Sequence, residues 1–154
     1  MKTLKTIAFT ALLGVSSLFS QAQEKIPINQ PDYNKPRIFA DLPQRMNIVM
    51  SDMTSLFDLS VGTSVIAKLN KSFPFKGTIV SKSGGNGSPV QSVIIRSVTR
   101  QGAVLTLTKL TNADGSFVYR GRIISKESID AYEIVKEDDL YVLQKKNYYE
   151  MVRE

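Results

Sequence analysis

The sequence predicts a mainly β protein. The expected form is an antiparallel meander of about seven strands closing as a small barrel or a sandwich, with a short N-terminal helical segment and a C-terminal helical turn. Three observations predict it. From Val61 onward, short apolar and β-branched runs are each closed by turn residues. The connections between runs are too short for the helical crossovers that parallel strands need. The runs also alternate: Phe117, Tyr119, Gly121 and Ile123 fall on one face, and Val118, Arg120, Arg122 and Ile124 on the other. Barrel and sandwich both satisfy this pattern.

Taken in chain order, residues 1–22 read as a cleavable signal peptide and are set aside from the fold. Lys2 and Lys5 supply a basic start, residues 7–18 are uncharged and mostly apolar, and Ser20 and Ala22 place small side chains around a cut after Ala22. The apolar run is shorter than the roughly 20 residues of a membrane-spanning helix. The chain has no cysteine, so no lipid-attachment site is expected, and the predicted compartment is the periplasm or the exterior. Residues 23–43 carry Pro27, Pro31, Pro36 and Pro43 and read as an extended arm. Ile26, Ile28, Tyr33, Ile38 and Phe39 are placed to dock on the domain, and a disordered leader is the alternative. Residues 44–154 form the single β-rich domain.

Within it, residues 44–59 place Met46, Val49, Met50, Met53, Leu56 and Phe57 at spacings of three and four. This spacing predicts a short helix, with Asp41 as N-cap and Pro43 in its first turn. Strands are expected at 63–69, 75–82, 91–99, 103–110, 116–125, 130–136 and 140–146. The turns between them are the flexible loop 84–89, the hairpin turns 100–102 and 112–115, and the charged turn 137–139. Asn147 followed by Glu150 resembles a capping box and predicts a final helical turn, placed to plug a barrel end or a sheet edge.

Composition excludes chemistry more readily than it assigns it. The chain has no histidine and no cysteine, which removes the serine and cysteine triads and the usual zinc ligands. The carboxylates offer two candidate pairs for glycoside hydrolysis, among Glu127, Asp130 and Glu133 or within Glu137, Asp138 and Asp139, without a tryptophan to stack on sugar. Asn112-Ala113-Asp114-Gly115 lacks the flanking oxygen ligands of a calcium loop, since Leu110 and Gly121 hold those places. No Gly-Lys-Ser/Thr follows Gly84, Gly85 and Gly87, so the loop is no phosphate cradle. No enzyme activity, cofactor or metal is expected.

Net charge is +6; with Lys2 and Lys5 gone, 18 basic residues face 14 acidic ones, a modest +4. Nucleic acid is not an expected partner. Arg96, Arg100, Lys109, Arg120 and Arg122 spread over three consecutive predicted strands. If Arg96, Arg120 and Arg122 share a face they make a cationic patch; ordinary outward charge that blocks aggregation is the other reading. The candidate partner-binding residues are these three arginines with Gly84, Gly85, Asn86 and Gly87, because loops carried on rigid sheets often make contacts.

The stretch from Leu56 through Glu154 resembles small uncharacterised exported proteins of Bacteroidetes-type bacteria. The matching pieces are residues 75–82, Val93-Ile94-Ile95-Arg96-Ser97, Thr111-Asn112-Ala113-Asp114-Gly115-Ser116 with Gly121-Arg122-Ile123-Ile124-Ser125, and Asp130-Ala131-Tyr132-Glu133. The resemblance implies an exported compartment and assigns no activity. The function expected is a non-catalytic binding domain that engages another secreted or periplasmic protein, as an inhibitor or accessory subunit. An apolar-ligand carrier, its interior lined by Phe73, Phe75, Leu105, Phe117, Tyr119 and Tyr141, is the second reading. A carboxylate hydrolase is the third.

Overall fold

Alternation along the chain becomes one continuous sheet. In the computed structural model, which describes residues 31–85 and 87–152, eight strands form. They are β1 (Arg45–Ile48), β2 (Ser64–Asn70), β3 (Phe73–Ser83), β4 (Val90–Ser97), β5 (Val104–Thr111), β6 (Phe117–Ile124), β7 (Asp130–Glu137) and β8 (Leu140–Asn147). Their spatial order is β1-β8-β7-β6-β5-β4-β3-β2, with every neighbouring pair antiparallel. β2 to β8 are thus the predicted seven-strand meander, and β1 is an eighth strand added beyond β8. The sheet curls into a half-barrel. Register shifts at Lys68/Asn70 and Ile79/Ser81 contribute to the curl, since a bulge bends its strand and raises the local twist. The two free edges approach each other where Asn70 Nδ2 donates to Asn47 O at 2.7 Å. Residues 1–22, expected to be a signal peptide, and the first part of the expected arm lie outside the described residues, as does Asn86.

The helix expected over 44–59 is shorter than its spacing suggested. Residues 45–48 are strand; helix α1 covers only Ser51–Thr54, followed by a 3-10 turn at Ser55–Phe57. Met46 and Ile48 point inward while Arg45 and Asn47 are exposed, a period of two that the free edge of β8 satisfies. The three-and-four spacing governs the chain only from Met50. Asp41 is not its N-cap. No side chain caps α1, and the Asp41 carboxylate grips Arg100 instead, at 2.9 and 2.7 Å.

A single hydrophobic core fills the curl, and each end is stopped by a short segment. At one end, residues 36–43 fold over as turns and drive Phe39 fully inside. Phe39 meets Tyr132 and Phe73 edge to face, with ring centroids 5.6 and 6.4 Å away. Its N–H donates to the buried Asp130 carboxylate, and its carbonyl accepts from Lys145 Nζ at 2.7 Å. Arg100 donates to Ile38 O and lies over the Phe39 and Phe73 rings. At the opposite end of β3, Met50, Met53, Leu56 and Phe57 cover the core, and Lys82 Nζ donates to the carbonyls of Phe57 and Leu59 at 2.6 and 2.7 Å. The final helical turn, α2 (Tyr148–Met151), is capped as the sequence suggested: Asn147 Oδ1 accepts from Tyr149 N at 2.9 Å. It buries none of its residues, so the Phe39 segment rather than α2 closes a barrel end.

Burial pushes the Tyr132 phenol from its ordinary 10.0 up to about 12, and the neighbouring Asp130 carboxylate adds to the rise. Its hydroxyl donates to Pro43 O, which only the neutral form can do. A raised phenol favours the folded state fully below pH 10, and that contribution drains as pH climbs through about 12. Wild type is therefore expected to lose stability to alkali between these values more steeply than Tyr132→Phe, by up to about 2 kcal/mol. Urea unfolding repeated at successive pH values measures this. Parallel curves for the two proteins would refute it.

Candidate functional site: an open seam in the sheet

The sheet is not zipped evenly. β5 pairs β6 over eight residue pairs, and β7 pairs β8 over eight. Between β6 and β7 only three pairs form: Gly121↔Ile134, Arg122↔Glu133 and Ile123↔Tyr132. Continuing that register would bring Arg120 opposite Val135 and Tyr119 opposite Lys136, and there the strands part. The N–H of Tyr119 donates instead to Tyr141 Oη at 3.1 Å, a hydroxyl reaching in from β8 beside Lys136. Gly121 stands at the fork. A Cβ there would lie 2.7 Å from Thr106 O and 2.8 Å from Ile134 Cδ1, so the last close pair requires glycine.

The parted strands frame a cleft of about 660 Å³ on the outer side of the sheet. Its walls are residues 118–122 of β6 and residues 133–136 of β7, with Thr106 and Thr108 of β5 and Met151 of α2 at its margins. On the inner side, Tyr119 packs against Phe57 and Tyr141, with ring centroids 6.3 and 5.7 Å away. Burial, and then Tyr141 beside it, raise the Tyr119 phenol above its ordinary value and keep it neutral.

The cleft is cationic. Arg120 and Arg122 are exposed neighbours on the outer face; Lys136 lines the opposite wall, at a position in phase with the inward-facing Tyr132 and Ile134. The ion pairs among the described residues are Arg45–Glu137 and Arg100–Asp41, so neither Arg120 nor Arg122 is held by a carboxylate, although Glu133 stands opposite Arg122. Arg96 shares the outer face but sits on β4 against Val104 and outside the cleft. Lys109 pairs with Tyr119, so it belongs to the other face; there it covers the Phe117 ring, Nζ 4.0 Å from the centroid. Gly84, Gly85 and Gly87 form the β3–β4 loop, tied by Gln91 Nε2 to Gly85 O at 2.9 Å. Sequence reasoning missed Lys136 and Met151. Nothing in either residue's surroundings marks a site, because the cleft is a matter of pairing between strands.

The other candidates are dispersed. Asp130 is spent on Phe39 and Ser128, Glu133 is on the outer face, and Glu137 pairs with Arg45. Asp138 forms the β7–β8 turn at φ +54°. Among the described residues, no three acidic side chains gather as a metal site. Asn112 and Asp114 are occupied in their own hairpin, where Asp114 Oδ1 accepts from the Ser116 N–H at 2.9 Å and from its hydroxyl at 2.6 Å. Phe73, Phe75, Leu105 and Tyr119 belong to the packed core, whereas Phe117 is half exposed. No protein-family model, curated protein or solved structure matches the chain.

Proposed function

We propose that this is an exported, non-catalytic binding domain that engages another secreted or periplasmic protein through the outer face around Arg120 and Arg122. The observation that carries the reading is two neighbouring guanidinium groups, free of carboxylate partners among the described residues, at the lip of a cleft in the sheet. Arginines in that position are typical of interface anchors, since each offers a planar fork of donors over an apolar stem. The packed interior favours this reading over the carrier, because Phe73, Phe75 and Tyr119 fill the space a ligand would need. The scattered carboxylates favour it over a hydrolase.

The test is capture by a tagged full-length chain, crosslinked in the producing organism's periplasmic and culture fractions. The double variant Arg120→Glu, Arg122→Glu alters two exposed side chains and is expected to keep the wild-type melting temperature. It should lose the captured protein by roughly tenfold or more. Equal capture by both proteins would reject the reading. An apolar molecule co-purifying with wild type in native mass spectrometry would turn it toward the carrier.

A further inference from the structure

We infer that the seam between β6 and β7 receives one extended, acidic peptide segment of the partner protein, which resumes the ladder where Tyr119 and Lys136 leave off, beside Arg120 and Arg122. This deepens the proposed function and rests on it.

The backbone supplies the first argument. In an antiparallel pair, alternate residues turn their N–H and C=O groups to alternate neighbours. The bond from Asn112 N to Ser116 O fixes the phase of β6: Val118, Arg120 and Arg122 serve β5, and Tyr119 and Gly121 turn toward β7. The bond from Tyr148 N to Ile129 O fixes β7 in the same way, so Val135 serves β8 and Lys136 turns toward β6. Tyr119 and Lys136 therefore present main-chain groups across a gap their own strands do not close, with Tyr141 Oη meeting the Tyr119 N–H alone. Such an opening suits strand addition, in which main-chain bonds give affinity and alternate side chains give selectivity.

Charge and shape supply the second. Residues two apart on a strand stand about 6.8 Å apart on one face, the spacing of Arg120 and Arg122. An extended segment alongside them places its own alternate side chains at that repeat, and carboxylates there meet both guanidinium groups. Val118, Ile134 and Val135 give the cleft apolar surface for a side chain, which a free anion would not use. Glu133 within the cationic group disfavours a continuous polyanion such as nucleic acid.

The probe is an end-capped octapeptide alternating threonine and glutamate, titrated into the ¹⁵N-labelled full chain. Saturable shifts are expected at the amides of Tyr119, Arg120, Val135 and Lys136. Methylating alternate backbone nitrogens keeps every charge and should weaken binding at least roughly tenfold. The Arg120→Glu, Arg122→Glu variant should abolish it. Equal binding of the methylated peptide, the same shifts with inorganic phosphate, shifts confined to β1 or β2, or no shifts at millimolar peptide would each overturn the inference. If the octapeptide fails while charge reversal still strips the captured protein, the seam is wrong and the outer-face reading stands. If capture survives reversal, both fall.

Discussion

Replacing Phe39 by alanine is expected to destabilise the protein by about 3–5 kcal/mol, the range for emptying an aromatic from a packed core. Phe39 has no exposed surface, and its ring is enclosed by Phe73, Tyr132 and the Arg100 guanidinium. The loss extends beyond the ring. Removing it frees residues 36–43 to lift, and with them the partners of Asp130, Lys145 and Arg100, three charged side chains whose hydrogen bonds end on this segment. Losing the partner of a buried charge costs more than the bond contributes when made. Urea denaturation should show a lower midpoint at an unchanged slope. Tyr33→Ala is the control: that residue is 61% exposed and should shift stability by no more than about 0.5 kcal/mol. A Phe39→Ala loss below about 1 kcal/mol would mean that the segment opens independently of the sheet.

The sequence made the meander legible because half-buried strands advertise themselves at a period of two. All seven predicted runs are strands, with ends displaced by no more than about two residues. Residues 44–59 were harder because Met46 and Met50, four apart, fit both periods, and a strand of four residues does not separate them. The free edge of β8 decides in favour of strand, and that edge exists only once the meander has formed. Phe39 could be named as a docking residue but not as the plug. Its burial depends on Asp130 and Lys145, which are 91 and 106 residues away along the chain. The arginines of the candidate site were readable for the same reason as the strands, since Arg120 and Arg122 occupy alternate positions of β6. The seam was not. β6 and β7 each carry a regular strand pattern, and nothing local reports that their ladder stops after three pairs. It shows only in the folded pairing, where Gly121 admits the last close pair and the Tyr141 hydroxyl, reaching across from β8, accepts from the Tyr119 N–H.

Gly84→Ala is expected to cost about 2–4 kcal/mol, although Gly84 lies in an exposed loop where most substitutions are silent. Two constraints coincide there. Its φ of +73° is a left-handed conformation that penalises any Cβ, and an added Cβ would lie 2.0 Å from Val90 O. That carbonyl cannot retreat freely. Val90 opens β4 opposite Leu110, and the adjoining Pro89 O accepts from Thr111 N at 2.8 Å, so displacing it disturbs two hairpins together. Gly85 is one residue away and has open space around it. Gly85→Ala should therefore leave stability within about 0.5 kcal/mol of wild type. Melting temperatures of the pair measure the contrast, and a neutral Gly84→Ala would refute the requirement. The contrast also separates folding from recognition in this loop. Glycine at 84 is accounted for by the hairpin alone, so loss of partner capture in Gly84→Ala would say nothing about an interface. Gly85→Glu, by contrast, places a bulky acidic side chain on the loop at little structural cost. If it lowers capture at unchanged melting temperature, the loop is part of the docking surface. If capture is untouched, recognition belongs to the seam side of the sheet, two strands away, where Arg120 and Arg122 stand.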